Sequence, residues 1–262
     1  MKKAKSDYLI QSVSRALDIL EAFTIGQGEL GVTELSRKLK LHKNNVFRLL
    51  ATLETRGYVE QDRDIGSYRL GMKTFEVASV FLHHLGLVKQ SRPTLEQLAR
   101  ETDETASLGI LEGPSVVCVD MVETTQPVRV VPHLGRRVPA HATALGKVQL
   151  AFRPQEELEE LWKRDEPVTV TPRTLAGVSR LAEELARVAE QELALEDEEF
   201  ELGVRGVAAP VRDYAKRVVG ALGVRGPASR LTLERLGSEF APRVRAAAQQ
   251  VSKHLGYPVT AG

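Results

Sequence analysis

The sequence predicts an α+β protein with a winged helix-turn-helix at its N-terminus and an antiparallel sheet flanked by helices in its larger second part. Residues 33–39 and 41–54 have the apolar spacing of two short helices joined by a tight bend. Residues 57–60 and 67–70 read as two short strands around a turn at residues 64–66. Further along, candidate strands and helices follow one another in mixed order, which is typical of an antiparallel sheet with helices packed beside it.

The size and composition allow this two-part organisation. A chain of 262 residues, 42% of them apolar and 27% charged, can form one large domain or two of ordinary size. The formal net charge is only +1, but residues 1–70 contain 12 Lys and Arg residues against 9 Asp and Glu residues. No acidic residue lies between Leu35 and Leu53, a stretch that contains five basic ones. A local basic stripe on a nearly neutral protein favours a selective nucleic-acid binder over a general DNA coat.

Several classes of protein are excluded or disfavoured by the same sequence. Cys118 is the only cysteine, so an intramolecular disulfide and a zinc site with several cysteines are excluded. Cys118 lies in an apolar stretch and is expected to be an inert core residue. The first residues lack the apolar run of a signal peptide, and no stretch approaches the roughly 18 apolar residues that span a membrane. We therefore expect a cytoplasmic protein.

A helix capped by Ser12 is expected to begin the N-terminal part, with one buried face. That face is formed by five apolar residues at helical spacing: Val13, Ala16, Leu17, Leu20 and Phe23. After the hairpin, residues 73–87 are predicted to form a helix that is apolar on more than one side. Such a helix needs more than one partner, so we interpret it as a linker that contacts its own domain and another subunit.

The second part is predicted to contain strands and helices in mixed order. Predicted helices cover residues 93–102, 141–152, 155–164, 175–193 and 244–255, the first of them opened by Pro93. Predicted strands cover residues 106–111, 116–122, 128–132, 204–211 and 217–224, the last two as a pair. The acidic run at residues 196–199 is expected to cap a turn or to face solvent.

Eight residues of the helix-turn-helix and its wing have the chemistry of a DNA contact. They are His42, Lys43, Asn44, Asn45, Arg48, Thr52, Arg63 and Arg69. An Asn amide can pair bidentately with adenine, and an Arg guanidinium with guanine. His42 and Lys43 lie at the start of the second helix, where free backbone N–H groups also attract a phosphate. The two wing arginines could reach the DNA backbone or the minor groove.

The competing interpretation is a solvated polar helix face, because single exposed charges mean little. Two helices of this size, a tight bend, a hairpin and a presented face without acids together favour binding of double-stranded DNA. Phe47 is ambiguous, since its ring could pack under the wing or touch a thymine methyl group.

Seven motifs lie between Ser12 and Leu231, and the resemblance that they carry runs from Ser12 to Gly256, over nearly the whole chain. They are SVSRALDIL at residues 12–20, LLATLETRGYV at 49–59, YRLG at 68–71, PAHATALGK at 139–147, EEFELGV at 198–204, AAPVRD at 208–213 and GPASRL at 226–231. In this order they resemble the IclR family of bacterial transcriptional regulators. The resemblance implies an N-terminal winged helix-turn-helix and a C-terminal effector domain of GAF-like fold.

The resemblance also implies an assembly and a way of working. Family members dimerise through the N-terminal and linker helices and often pair into tetramers. They repress or activate catabolic operons when a small organic molecule, often a carboxylate or an aromatic compound, binds the second domain. We accordingly divide the chain into a DNA-binding domain (1–71), a linker helix (72–88) and an effector-binding and oligomerisation domain (89–262).

The effector pocket is mapped from the same resemblance. The predicted set is Thr143, Ala144, Leu145, Gly146, Glu196, Gly206, Gly223 and Arg225. The first four lie at a helix start, where unpaired N–H groups and the helix dipole favour an anion. The chain departs from the family's better-known carboxylate binders, which show Cys at the position of Gly206 and Ser-x-Ser-Gly-Pro at residues 223–227.

Three alternatives follow for Arg225. It could grip a carboxylate ligand through its forked donors, which is the alternative we favour. It could instead pair with Glu196 and fill the pocket, so that no ligand or a different ligand binds. A buried arginine without a partner would be too costly. If Arg225 binds neither a ligand nor Glu196, it must therefore face solvent.

No metal, cofactor or enzymatic activity is predicted. His83 and His84 point about 100° apart on a helix, so one metal rarely takes both. A second set could form a metal site only if the fold brings it together: Asp120, Glu123, His133 and His141. No nucleophile elbow, phosphate loop or cofactor fingerprint is present. Two alternatives stay open: a GAF-like enzyme that uses the winged helix only to dimerise, and a regulator that binds no ligand.

Overall fold

The computed structural model describes residues 9–24, 26–175 and 177–258, and for residues 79–85 it describes the backbone alone. Contacts divide the chain into two compact units, Met1–Leu85 and Gly86–Gly262. No helix in the described part of the chain is long and apolar enough to cross a membrane.

The first unit is a winged helix-turn-helix, as predicted. Its elements are α1 (Gln11–Ala22), α2 (Val32–Leu39), α3 (Lys43–Thr55), β1 (Val59–Gln61), β2 (Tyr68–Leu70) and α4 (Met72–Leu85). Helix α2 begins after Gly31, whose N–H donates to Glu34 Oε2 at 2.8 Å. It ends at Lys40, which adopts the left-handed conformation with φ 52°. The Leu41 N–H then donates to the Ser36 carbonyl at 3.0 Å, which closes the bend before α3.

One small core holds α1, α2, α3 and the wing together. Ile19, Leu35, Val46 and Leu50 are all fully buried in it. Each such side chain contributes about 1.5–3 kcal/mol when it leaves water. Because α3 buries Val46 and Leu50, its rotation is set and its polar residues are turned outwards.

The wing is a two-stranded antiparallel hairpin in which Val59 pairs with Leu70. Its turn is closed by the Asp62 carboxylate, which accepts from the Asp64 N–H at 2.9 Å. Gly66 follows with φ +70°, a conformation that glycine adopts without strain.

Two expectations for α1 are wrong. The residue before the helix is Ile10, and no side chain caps it, so Ser12 lies inside the first turn. Ile19 is buried as part of the core, but Val13 and Leu17 are 54% and 51% exposed. The helix therefore carries two apolar sides, of which only one packs within this unit. The apolar residues expected on the linker helix at positions 80–85 lie outside the described side chains.

The second unit is an antiparallel sheet flanked by helices, in agreement with the predicted fold class. Its elements are α5 (Leu87–Thr102), β3 (Thr105–Glu112), β4 (Ser115–Val122), β5 (Arg137–Pro139), α6 (Ala144–Leu150), α7 (Gln155–Arg164), α8 (Val178–Gln191), β6 (Ala194–Asp197), β7 (Val204–Arg212), β8 (Val218–Pro227) and α9 (Ala241–His254). The strand order is β5-β4-β3-β8-β7-β6. Helices α5 and α9 pack together against one face, while α6 and α8 cover the other.

Pro93 does not open a helix but lies inside α5, which begins at Leu87 after Gly86. Leu87, Leu95 and Leu98 form a buried stripe along this helix. Burial of the stripe outweighs the hydrogen bond that the proline cannot donate.

Two strand predictions also differ from the structure. Residues 128–132 are not a strand, and the strand that pairs with β4 is β5, with Ser115 opposite Pro139. Strand β6 was not predicted at all, because two of its four residues are acidic. Glu196 and Glu199 are buried rather than solvent-facing, since both have basic partners inside the unit.

Candidate DNA-binding and effector-binding sites

The outward face of α3 presents the predicted base-reading side chains. Lys43, Asn44, Asn45 and Arg48 are all exposed. Within the described part of the chain, no hydrogen bond or ion pair engages any of these four side chains. Their donors and acceptors are therefore free to bind a ligand, as a base-reading helix requires.

The other predicted residues of this helix have partly defined contacts. His42 precedes α3 as its N-terminal flanking residue and is exposed, without a capping hydrogen bond. The Thr52 hydroxyl donates to the Arg48 carbonyl at 2.9 Å, which leaves its oxygen able to accept. Phe47 is 55% exposed on the same helix, so it is not packed under the wing.

The two wing arginines differ in their surroundings. Arg63 is exposed in the turn. Arg69 lies opposite Glu60 in the hairpin, and its Nη2 is 3.3 Å from Glu60 Oε2. Both side chains of this pair are more than half exposed, so the pair contributes little and a phosphate can replace the carboxylate.

A cavity of about 450 Å³ lies in the second unit, between the α6 face of the sheet and the segment at residues 128–136. Of the predicted effector residues, seven line it: Thr143, Ala144, Leu145, Glu196, Gly206, Gly223 and Arg225. Gly146 does not line it. A Cβ at Gly146 would overlap the Ala140 backbone, so this glycine serves the close approach of α6 to the preceding turn.

The start of α6 is largely satisfied by the protein itself. Thr143 Oγ1 accepts from the Gly146 N–H at 3.3 Å. The Ala144 N–H donates to Glu196 Oε2 at 3.4 Å. The anion that the helix start was expected to attract is thus already supplied in part by Glu196.

Three residues form a row across the neighbouring strands β6, β7 and β8. Glu196 lies opposite Gly206, and Gly206 lies opposite Arg225. Because Gly206 has no side chain, Arg225 crosses over it and reaches Glu196. Arg225 Nη2 is 2.6 Å from Glu196 Oε1, and Arg225 Nε is 3.0 Å from the same oxygen.

This geometry excludes one of the three alternatives for Arg225. Its side chain is mostly buried and paired with Glu196, so the solvent-facing alternative is wrong. Its guanidinium also stacks on Phe200, with Cζ 5.1 Å from the ring centre. The second alternative was that Arg225 pairs with Glu196 and fills the pocket. The pair is present, but it does not fill the cavity, which stays open beside it.

Gly223 marks a close approach of two strands. A Cβ at this position would lie 2.5 Å from the Val207 carbonyl oxygen and 2.9 Å from Ala208 Cβ. The strand pair β7–β8 therefore has no room for a side chain there.

An ionic cluster supports α6 from inside the unit. Lys147 is only 1% exposed, and its Nζ is 2.6 Å from Glu199 Oε1 and 3.1 Å from Glu184 Oε1. Burial raises the pKa of Glu199, and the positive charge of Lys147 acts in the opposite direction. Glu199 Oε2 has no hydrogen-bond partner within the described residues.

Cys118 and His141 do not have the surroundings of catalytic groups. Burial, followed by the charge of Asp120, raises the pKa of the Cys118 thiol to about 12. His141 Nε2 lies 2.9 Å from the Val168 carbonyl, and burial lowers the pKa of its imidazole. Among the residues that the structure describes, no group of three or more His, Cys, Asp or Glu side chains could hold a metal. The side chains of His83 and His84 lie outside the described ones.

Sequence reasoning missed other residues that line the cavity. Ser107, Phe200, Arg129, His133 and Arg136 were not in the predicted set, although all five line it. Ser107 lies opposite Gly223 in the sheet, so only knowledge of the strand register could have found it. Arg129 lies in a stretch that was predicted as a strand and Phe200 in one of the seven motifs, but neither signal indicated a cavity.

Comparison with known proteins identifies relatives of both units. The family model described as "Bacterial transcriptional regulator IclR C-terminal" matches residues 79–253, and "IclR helix-turn-helix domain" matches residues 12–63. The Escherichia coli (strain K12) regulator XynR is 38% identical over 95% of this chain and 99% of its own length. The regulator KdgR of the same organism is 34% identical over 95% and 94%. The solved structure of the Thermotoga maritima IclR is 29% identical, with a TM-score of 0.78 over 94% of this chain and 99% of that one.

Proposed function

This chain belongs to the IclR family of bacterial transcriptional regulators, and on that basis we propose how its residues recognise DNA and an effector. It is a DNA-binding transcriptional regulator that responds to a small effector. Its relatives are named as regulators rather than enzymes. We infer that this chain is not an enzyme, that it acts in the cytoplasm, and that it controls a catabolic operon as a repressor or an activator.

We propose that α3 enters the major groove and reads bases with Asn44, Asn45 and Arg48. The observation that carries this proposal is the exposed, acid-free face of α3, on which these side chains have no partner among the described residues. Lys43 and His42 at the helix start, with Arg63 and Arg69 of the wing, hold phosphates. Thr52 continues the reading face by one turn.

Selection of bound sequences from random DNA, followed by a salt titration on the selected operator, tests this proposal. Each phosphate contact contributes about 0.9 to the negative slope of log K against log salt. Three charged contacts per protomer, from Lys43, Arg63 and Arg69, predict a steep slope. A slope near zero on the selected operator would show that the phosphates are not engaged.

We further propose that the protein acts as a homodimer, or as a pair of dimers, on a palindromic operator. Four apolar residues of α1 or just before it are exposed in the first unit: Leu9, Ile10, Val13 and Leu17. Helix α4 exposes Met72, Phe75 and Val77. Exposed apolar side chains at this density are typical of an interface. A sedimentation measurement that finds a stable monomer at micromolar concentration, with and without operator, would refute the dimer.

The cavity of the second unit is proposed as the effector site, formed by the predicted residues that line it. Binding there would favour one arrangement of the DNA-binding units over another, because an effector shifts an equilibrium only by its different affinity for the two states. The effector would be a small organic molecule. Operator affinity that no cellular metabolite changes would favour the alternative of a regulator without a ligand.

A further inference from the structure

The Glu196–Arg225 pair occupies one end of the cavity, and it is neutral as a unit. Glu196 is 1% exposed, and its carboxylate receives two donors from Arg225 and one from the Ala144 backbone. The positive guanidinium and the N–H of the α6 start are therefore both used by an anion that belongs to the protein.

We propose that Glu196 is a built-in carboxylate that holds the place of an acidic ligand group, so that the effector presents an uncharged, hydroxyl-bearing group to this end of the cavity. This inference rests on the cavity being the effector site. A ligand carboxylate brought beside Glu196 would place two like charges at one buried position, which strongly disfavours binding.

The pairing depends on Gly206. A Cβ there would lie 3.3 Å from Arg225 Cγ and 3.0 Å from the Val224 carbonyl oxygen, both tight contacts. A side chain at this position would press on the path along which Arg225 reaches Glu196. The absence of a side chain at Gly206 therefore allows Arg225 to pair with Glu196.

Two further polar groups of the cavity suit a hydroxyl. Ser107 is 2% exposed and lines the cavity, and within the described part of the chain its hydroxyl makes no hydrogen bond. Arg225 donates to Glu196 through Nε and Nη2 only, which leaves Nη1 as a donor. A ligand hydroxyl can accept from such donors and donate to a carboxylate oxygen, without adding charge.

Acetate provides a direct probe of the proposed role of Glu196. Glu196→Ala removes the side chain beyond Cβ, and acetate has the same heavy atoms as the removed group. We expect saturable acetate binding to full-length Glu196→Ala, measured by calorimetry and by a rise in melting temperature, at least an order of magnitude tighter than to the wild type. Equal acetate affinity in both proteins would overturn the proposal.

Matched variants separate the cavity pair from other carboxylates. Glu201→Ala removes the other carboxylate near Arg225, 3.9 Å away, and should not create acetate binding. The double variant Glu196→Ala/Arg225→Ala should lose the acetate response, because the guanidinium is gone. If Glu196→Ala does not fold, Arg225→Ala gives the complementary test. Its melting temperature should rise with methylguanidinium and not with sodium at equal ionic strength, and an identical response to both cations would overturn the pairing.

The effector class is tested with alcohol and acid pairs, such as glucitol with gluconate and benzyl alcohol with benzoate. Because Arg129, His133 and Arg136 also line the cavity, each pair of compounds is compared between the two proteins. We expect Glu196→Ala to shift the preference within each pair from the alcohol towards the acid. A preference that is the same in both proteins would overturn the assignment. Operator binding is measured on the same proteins. Intact operator binding without acetate rescue refutes only this inference, whereas wild-type protein that selects no operator refutes the proposed function.

Discussion

Lys147 is expected to be among the most sensitive positions of the second unit. It is 1% exposed on α6, and its ammonium group neutralises the buried carboxylate of Glu199. Lys147→Met keeps the length of the apolar stem and removes only the charge. Glu199 then stays buried with no cation at 2.6 Å, so the folded state carries an uncompensated negative charge.

The size of the effect follows from that charge. Removal of one partner of a buried pair costs about 3–5 kcal/mol. In a domain of this size, 1 kcal/mol lowers the melting temperature by about 2–4 °C, so we expect a decrease of roughly 6–20 °C. The double variant Lys147→Met/Glu199→Gln should recover most of the loss, because neutral groups of similar volume then replace the pair.

The stability deficit of Lys147→Met is expected to change with pH in a definite direction. Burial raises the pKa of Glu199, and loss of Lys147 should raise this pKa further. A raised folded-state pKa stabilises the protein below the ordinary glutamate value of 4.5, and that contribution is lost as the pH rises through the folded-state value. The deficit of Lys147→Met relative to wild type should therefore shrink as the pH falls from neutral towards 4.5.

Differential scanning calorimetry of the full-length protein between pH 5 and pH 8 provides the measurement. The matched control is Lys73→Met, whose pair with Glu76 is about half exposed and should leave the melting temperature unchanged. A Lys147→Met variant as stable as Lys73→Met, or a deficit that grows on acidification, would refute this reasoning.

Three further predictions concern the wing, the hairpin exit and the cysteine. Glu60→Ala removes the competing carboxylate and should tighten operator binding, whereas Arg69→Ala should weaken it and reduce the salt slope by about one; an unchanged slope in Arg69→Ala would show that Arg69 is not used. Gly71→Ala places a Cβ against the Gly57 carbonyl and should cost about 1–3 kcal/mol, while Gly28→Ala, which meets no atom within 4 Å, should be silent in thermal unfolding. Cys118 is half-buried and lines the cavity, and with the pKa of its thiol near 12 it should react with iodoacetamide at pH 8 about a thousandfold more slowly than a free cysteine; a rate near that of a free thiol would contradict the raised pKa.

Elements with their own periodicity were predictable from the sequence. The inward stripe of α3 is local, so both the helix and its outward face could be derived from spacing alone. Helix α7 and the β3–β4 hairpin carry similarly local signals, and both lie where they were predicted. The structure therefore differs little from the sequence analysis in the helix-turn-helix and its wing.

Features that depend on distant partners could not be derived from periodicity, and the Arg225–Glu196 pair was foreseen only as one of three alternatives that followed from the family resemblance. Glu196 is buried because Arg225, 29 positions later, reaches it, and Glu199 is buried because Lys147 lies 52 positions earlier. An acidic run without these partners reads as a turn, which is why β6 was missed. The helix start predicted at Pro93 was wrong for a related reason. Burial of α5 in the folded unit overrides the local signal of a proline.

The most direct test replaces Asn44, Asn45 and Arg48 together by alanine and determines the sequence preference of the protein on random DNA. We predict that the variant keeps the wild-type melting temperature and loses its preference for operator over random DNA. A control triple variant on the exposed face of α7, at Glu156, Glu159 and Lys163, should keep that preference. An operator preference unchanged in the folded α3 variant would contradict the claim that this helix reads the bases.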